Sequence, residues 1–365
     1  MKLANRVVAL SLFLLTAAFP AWAQRIDDGP LQVYWALIEP IKQGDSLRVA
    51  DWTRFLKIEA NEAYINNQGF GAKYLANLRR AVEVVYQPQQ AALLRERLKD
   101  PVKNWLTYKV YQYKAHEPEL KAYQARLKQP EYQEAMYQTA WAWLPKRLQQ
   151  RDTAAIIYLL GIENDAIAGN HLMILTLWSA YNQDKLLNGT LIGHELHHNL
   201  RQPVAFQNVT EQDKGIIYAL NSVLNEGSAD MIDKPVALQH EAELPMEFQR
   251  SEFLLHQADS IVRVLDQRLA AMARSNGAEA QPEKYYRTLI RWTSGHCPGY
   301  YMTDIIVRNG LRRALLKQVQ NPFAFIYLYN KAARKDQAKP PVFSEAAIQY
   351  VRQLEKKYWP TKAKA

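Results

Sequence analysis

The sequence contains 365 residues, of which 48% are hydrophobic and 22% charged, so it can bury a sizeable core in one large domain or two small ones. Its formal net charge is +10, but the basic residues are dispersed and form no compact cluster, so nucleic acid is not expected as a partner. Cys297 is the only cysteine, which excludes an intramolecular disulfide bond.

The first 23 residues have the pattern of a cleavable secretory signal. Lys2 and Arg6 precede an apolar run at residues 7–19, which ends in the small-residue pattern Ala21-Trp22-Ala23. This run is shorter than the roughly 20 residues that a membrane-spanning helix needs, and no later stretch is long and uncharged enough. We therefore expect an exported protein, periplasmic or secreted, with no membrane span after cleavage. An uncleaved membrane anchor is the alternative.

The next part of the chain, residues 24–150, is predicted to be a helical N-terminal region. Apolar side chains recur at helical spacing, as at Trp52, Phe55 and Leu56, and glycine is scarce. Two short apolar runs follow, at residues 154–160 and 171–177, and these predict two strands. Helical periodicity returns from Lys185 onward. The sequence therefore predicts a mainly helical α+β fold, with residues 151–365 as its second region and a small sheet.

An HExxH pattern lies within residues 191–200. On a helix, His194 and His198 are four residues apart and share one face, so both imidazoles can converge on one metal ion. Glu195 leans toward the same cleft and stays free to handle water. A zinc ion with three protein ligands keeps an open position for water. We therefore predict one Zn²⁺ ion with Glu195 as catalytic base, against the alternative of a histidine-bearing surface helix.

A third ligand is available in a second predicted helix. Glu226 and Asp230 are four residues apart, in a segment whose apolar stripe indicates a helix. Glu226 could complete the metal site, and Asp230 could accept a hydrogen bond from a ligand histidine. His197 could compete as a ligand, but only the pair His194 and His198 gives Glu195 the position that the catalytic base has in the HExxH pattern. We therefore expect His197 to support the ligands or to lie on the surface.

The pattern His194-Glu195-x-x-His198 followed by Asn225-Glu226-x-x-x-Asp230 resembles the gluzincins, the thermolysin-like branch of the zinc peptidases. The motif-level resemblance covers about residues 154–230, and the whole chain is most similar to poorly characterised bacterial families of zinc-dependent peptidases. The resemblance implies a zincin-like catalytic domain in which Glu226 is the third zinc ligand. It also implies an edge strand that pairs with extended substrate, for which residues 171–177 are our candidate.

Residues 294–302 are predicted to form a functional loop, because glycine, proline and several polar donors precede a helical stretch. Related peptidases need a tyrosine or histidine donor that stabilises the oxyanion formed when water attacks the carbonyl group. The segment offers Tyr301, Tyr300 and His296, in that order of preference, and the choice stays open. Cys297 is expected to be a buried thiol.

These features favour an exported zinc metallopeptidase that cleaves a peptide or protein substrate. Glu195 would take a proton from the attacking water and later pass it to the leaving amine. A zinc amidase acting on a cell-wall polymer would need the same residues. A non-catalytic binding or scaffold protein, which engages a partner through the helical N-terminal region, is the alternative from another class. The oligomeric state stays open.

Overall fold

The computed structural model describes residues 24–163, 165–169, 172–249, 251–290 and 295–359, without the side chains of residues 252 and 253. The predicted signal at residues 1–23 lies outside this part, as do His171 and Ser294. Helices predominate and one small four-stranded sheet is present, so the predicted mainly helical α+β fold is confirmed. Within the described ranges, no helix has both the length and the apolar character that crossing a membrane requires.

Helices fill the predicted helical N-terminal region. Their buried faces carry the apolar residues that recur at helical spacing in the sequence, such as Trp52 and Phe55. The helices are α1 (Gly29–Lys42), α2 (Val49–Leu56), α3 (Glu59–Gln68), α4 (Ala72–Tyr86), α5 (Ala91–Leu98), α6 (Trp105–Ala115), α7 (Glu117–Leu127) and α8 (Pro130–Trp141).

The sheet consists of β1 (Arg25–Asp27), β2 (Ile156–Leu160), β3 (Ala166–Gly169) and β4 (Leu172–Thr176), in the spatial order β1-β2-β4-β3. The first three strands in this order are parallel, whereas β3 runs antiparallel to β4 and places Ile167 opposite Ile174. Both predicted strands are confirmed, as β2 and β4.

The prediction that residues 171–177 form the edge strand was wrong. The strand within this stretch, β4, lies between β2 and β3, so β3 is the edge strand. β3 lies between the two predicted strands, where the sequence predicted no strand. It has only four residues, and alanine and glycine supply three of them, so Ile167 is its single β-branched or aromatic side chain and the sequence signal for a strand is weak.

Helices form most of the rest of the chain. The predicted loop at residues 294–302 was largely wrong, because Gly295, with φ 110°, directly precedes a helix that begins at His296. Tyr300 and Tyr301 are therefore helical residues. The helices are α9 (Leu177–Asp184), α10 (Thr190–Arg201), α11 (Glu211–Asp230), α12 (Lys234–Gln239), α13 (Ser251–Leu255), α14 (Ala258–Arg274), α15 (Glu283–Leu289), α16 (His296–Arg308), α17 (Arg312–Lys317), α18 (Pro322–Ala333) and α19 (Glu345–Tyr358).

Two large clusters of buried apolar side chains organise these elements. The first joins the N-terminal helices, the sheet and α10, and it continues across residue 150, so the change of sequence pattern there does not separate two cores. The second joins α11 with the helices that follow it. The HExxH helix therefore belongs to the first cluster and the helix of Glu226 to the second. Any site shared by these helices lies where the two clusters meet.

Helices α11 and α16 approach each other closely through two glycines. A Cβ atom built on Gly227 would lie 2.3 Å from the carbonyl oxygen of Gly299. A Cβ atom on Gly299 would lie 2.5 Å from the carbonyl oxygen of Val223. Both distances are far below van der Waals contact, so only glycine permits this helix spacing. The spacing in turn sets how close His296, at the start of α16, lies to Glu226.

We expect Gly227→Ala to lower the free energy of unfolding by about 1–3 kcal/mol, because the added methyl group must displace the backbone of α16. Urea denaturation followed by circular dichroism measures this change. Gly71→Ala is the matched control, since a Cβ atom there meets nothing within 4 Å. A Gly227→Ala protein as stable as the wild type would contradict the close approach of the helices.

Candidate metal centre

The start of the HExxH helix is fixed by contacts with α8 and α9. Gly189 precedes α10 with φ 77°, and a Cβ atom there would lie 2.6 Å from the backbone nitrogen of Met136. The carboxylate of Asp184 accepts hydrogen bonds from the backbone N–H of Thr190, at 3.0 Å, and from the hydroxyl of Tyr132, at 2.6 Å. A carboxylate at a helix N-terminus is also favoured by the helix dipole. These contacts hold α10 in place one turn before His194.

Three imidazole rings surround one carboxylate oxygen of Glu226. Its Oε2 atom lies 3.7 Å from Nε2 of His194 and 3.3 Å from Nε2 of His198. Nε2 of His296 lies 3.5 Å from the same oxygen. Nitrogen and oxygen ligands that bind one tetrahedral zinc ion at about 2.0–2.1 Å lie roughly 3.3 Å from one another. The structure therefore brings His194, His198 and His296 each within 3.7 Å of one oxygen of Glu226, and the ligand atoms of His194, Glu226 and His296 also lie within 4.8 Å of one another.

The orientation of His194 also fits a metal ligand. Its Nδ1 atom lies 3.1 Å from Oδ1 of Asp233, which is buried. An imidazole that donates its Nδ1 proton to this carboxylate presents a lone pair on Nε2 toward Oε2 of Glu226. Two facing lone pairs, one of them on an ionised carboxylate, leave a natural position for a cation between them. The donor set therefore fits a zinc ion.

Asp230 contacts His296 and neither of the two predicted ligand histidines. Its Oδ1 atom lies 2.7 Å from Nδ1 of His296, whereas Asp233 is the partner of His194. Sequence reasoning missed Asp233, although its spacing of three residues from Asp230 was a usable signal. Burial lowers the pKa of His296, but Asp230 and Glu226 outweigh this effect and raise it above its usual value.

We expect Asp233→Asn to weaken zinc binding by about 10–100-fold, because the amide orients His194 less firmly and removes a negative charge behind it. Competition with a chromogenic chelator measures the affinity. Asp259→Asn serves as the matched control, since Asp259 pairs with Tyr301 away from the three imidazoles. Equal affinities of both variants and the wild type would remove Asp233 from the metal centre.

The second oxygen of Glu226 is held by a chain of hydrogen bonds that begins at Arg201. Nδ2 of Asn225 donates to Oε1 of Glu226 at 3.0 Å, and Nη2 of Arg201 donates to Oδ1 of Asn225 at 2.8 Å. Arg201 is only 1% exposed, and burial lowers its pKa to about 10, so it remains charged at neutral pH. This chain turns Oε2 of Glu226 toward the imidazoles, and no sequence signal indicated it.

Glu195 lies in the same cleft with a free carboxylate. It is 7% exposed and has no hydrogen bond or ion pair with any residue that the structure describes. Burial raises the pKa of Glu195, although the imidazoles of His194 and His198 oppose the rise. Burial also acts to raise the pKa of Glu226, but His198 and the other histidines outweigh it and hold that pKa well below its usual range. The carboxylate of Glu195 therefore suits a general base, and the carboxylate of Glu226 suits a metal ligand.

The cleft runs from the metal centre along the edge strand β3. Helices α10 and α11 and the start of α16 line it, together with β3 and the end of α3. The described residues that line it are Asn67, Gln68, Asp165, Ala166, Ile167, Ala168, Gly169, His194, Glu195, His198, Asn199, Pro203, Asn225, Glu226 and His296.

The two predicted tyrosines lie outside this lining. The hydroxyl of Tyr301 donates to Asp259, and Tyr300 packs in a small apolar cluster with Met231 and Leu254. His296 is the oxyanion candidate that the structure brings to the cleft, so the geometry gives no support to the preference for Tyr301.

His197 and Cys297 lie next to residues of the site but do not line the cleft. His197 is buried, its Nε2 lies 3.4 Å from the carbonyl oxygen of Trp143, and burial holds its pKa well below the usual value. A neutral imidazole in contact with the segment just after α8 supports packing there and does not compete for the ion. Cys297 is buried as well, and burial raises the pKa of its thiol to about 11, so it stays protonated at neutral pH.

Comparison with known proteins gives one match. The model of a family described as "Putative zinc dependent peptidase (DUF5700)" matches residues 52–338, a range that includes all the ligand candidates and Glu195. Searches of curated proteins and of solved structures found no match. The matched range is well over half of the sequence. The chain therefore belongs to the family described as "Putative zinc dependent peptidase (DUF5700)".

Proposed function

We propose that this protein is an exported zinc metallopeptidase of the gluzincin type, in which His194, His198 and Glu226 hold one zinc ion and Glu195 is the general base. The observation that carries the proposal is the position of Oε2 of Glu226, 3.3–3.7 Å from the Nε2 atoms of both HExxH histidines. Family membership supports zinc dependence and peptide hydrolysis. Export is supported by the sequence pattern of residues 1–23.

A bound zinc ion would polarise the substrate carbonyl group and lower the pKa of a water molecule. Glu195 follows the first ligand histidine on α10 and faces the same cleft, so it can accept a proton from the attacking water. Its raised pKa makes it a stronger base than an ordinary carboxylate, and it can return the proton to the leaving amine. An unpartnered carboxylate in a cleft is unexpected in a purely structural metal site.

His296 is assigned the role of oxyanion donor. A fourth protein ligand would close the metal coordination, as in structural zinc sites, whereas a catalytic site keeps a position open. The side chain of His296 is 24% exposed, compared with 4% for His194, and it lines the cleft. Asp230 fixes the ring and favours its protonated form, so Nε2 can donate a hydrogen bond to a developing negative charge.

A peptide substrate is supported by the edge strand β3. Its outer side pairs with no other strand among the described residues, and all four of its residues line the cleft. An extended peptide can add to such an edge through backbone hydrogen bonds. A peptide bound in this way would have its scissile bond next to Glu195 and the zinc ligands.

Removal and return of zinc tests the proposed function. Purified protein should cleave unstructured protein substrates, lose this activity on chelation, and regain it with about one equivalent of zinc. Isolated cell-wall polymer, incubated in parallel, tests the amidase hypothesis. Cleavage that persists after complete removal of metal would overturn the proposal, and turnover of the wall polymer alone would replace it with the amidase.

A further inference from the structure

One carboxylate in the lining of the cleft has no role in the proposed reaction. Asp165, Glu195 and Glu226 line the cleft, and no lysine or arginine is among its described lining residues. Glu226 and Glu195 are used as ligand and base in the proposed reaction. Asp165 is the remaining carboxylate, and nothing in that reaction requires it.

Asp165 is exposed and has no cationic partner among the residues that the structure describes. Its Oδ1 atom accepts a hydrogen bond from the backbone N–H of Ala166 at 2.9 Å. Its Oδ2 atom lies 3.4 Å from Nε2 of Gln68, at the limit of a hydrogen bond. Both contacts are with neutral groups, so the carboxylate keeps its charge uncompensated at the mouth of the cleft.

The surroundings of Asp165 suit a long side chain that ends in a positive charge. Asp165 directly precedes β3, and its carbonyl oxygen accepts a hydrogen bond from the backbone N–H of Thr176 at 3.1 Å, so the pairing with β4 continues to this residue. Because residues two apart in an extended chain share a face, we expect the side chains of Asp165 and Ile167 to lie on the same side. Ile167 packs partly against the cluster that contains Tyr64 of α3, and Asn67 and Gln68 at the end of α3 line the same part of the cleft. Ile167 offers apolar surface for a methylene stem, while the carboxylate and two side-chain amides offer acceptors for a cationic head.

We propose that Asp165 is a specificity-determining residue that selects a lysine or arginine side chain of the substrate next to the edge strand. This inference rests on the proposed peptidase function. A peptide paired with β3 places one of its side chains across from Asp165, where an opposite charge is attracted and a like charge is repelled. The protein would thus be a peptidase for basic segments of its substrates.

Matched quenched fluorescent peptides test the preference. They differ at one position at a time, on either side of the scissile bond, and carry lysine, norleucine or glutamate there. For wild-type protein at low salt, kcat/KM should be about threefold to fivefold higher with lysine than with norleucine at one position, as for a partly exposed ion pair, and lowest with glutamate. The ratio should shrink in high salt.

Substitutions locate the preference at Asp165. Asp165→Asn should bring the lysine-to-norleucine ratio close to one, and Asp165→Lys should make glutamate the preferred residue. Glu59→Gln is the matched control, because it removes the same charge from an exposed position at the other end of α3 and should leave the ratio unchanged. A ratio that is equal in wild-type and Asp165→Asn proteins would overturn the assignment.

Binding provides a second readout that needs no turnover. Zinc-loaded Glu195→Gln protein should bind the lysine peptide more tightly than the norleucine peptide in fluorescence anisotropy, and Asp165→Asn in that background should remove the difference. Wild-type protein that cleaves all the peptides without a lysine preference would overturn the role of Asp165 and leave the proposed peptidase function intact. Zinc-loaded protein that cleaves none of the peptides would overturn both the role of Asp165 and the peptidase function.

Discussion

Replacement of Glu195 by glutamine is expected to lower kcat/KM for peptide cleavage by about 10²–10⁴-fold, the usual contribution of a general base. Glutamine has nearly the same shape but cannot take a proton from water. Glu195 does not take part in the close contacts between the imidazoles and Glu226, so the variant should still bind one zinc ion per chain. Steady-state kinetics and elemental analysis of dialysed protein measure the two quantities.

Glu59→Gln again provides the control, since it changes an exposed carboxylate outside the cleft by the same chemistry. Full activity of the Glu195→Gln protein would show that Glu195 is not the base. Loss of zinc together with activity would point instead to a role for Glu195 in holding the metal centre together.

Glu226→Ala is expected to weaken zinc binding by more than about 100-fold, because it removes the anionic ligand and leaves imidazoles alone around the ion. The substitution also leaves Asn225 without the oxygen to which it donates, and this loosens the chain from Arg201. Metal content after dialysis and chelator competition measure the effect. The zinc affinity of the Glu226→Gln protein should lie between those of the wild-type and Glu226→Ala proteins, because glutamine keeps a side-chain oxygen at the same distance from the backbone but loses the negative charge. Unchanged zinc affinity of Glu226→Ala would remove Glu226 from the ligand set.

Helical periodicity explains why part of the centre could be predicted from sequence. His194 and His198 lie on one face of α10, and Glu226 lies near the end of α11, so spacing within each helix decides which side chains can converge. The mainly helical α+β fold and two of the strands follow from the same kind of local pattern.

The rest depended on contacts between distant parts of the chain. Arg201 reaches Glu226 only through Asn225, and Asp233 meets His194 only because α11 ends beside α10. The short strand β3 depends on pairing with β4 and carries a single β-branched residue, so its local sequence did not reveal it.

The preference for Tyr301 over His296 has a local cause. A segment rich in glycine and proline suggested a loop, but proline is tolerated in the first turn of a helix, and Pro298 occupies that turn of α16. Once residues 296–308 are helical, His296 at the start of α16 is directed to the cleft, whereas Tyr301 reaches Asp259.

Anomalous diffraction at the zinc absorption edge, from crystals of the protein grown with zinc, tests the central claim most directly. The account predicts one strong peak within about 2.0–2.2 Å of Nε2 of His194, Nε2 of His198 and an oxygen of Glu226, with Glu195 outside bonding distance. A peak bound by other residues, or four protein ligands with no open position on the cleft side, would contradict it.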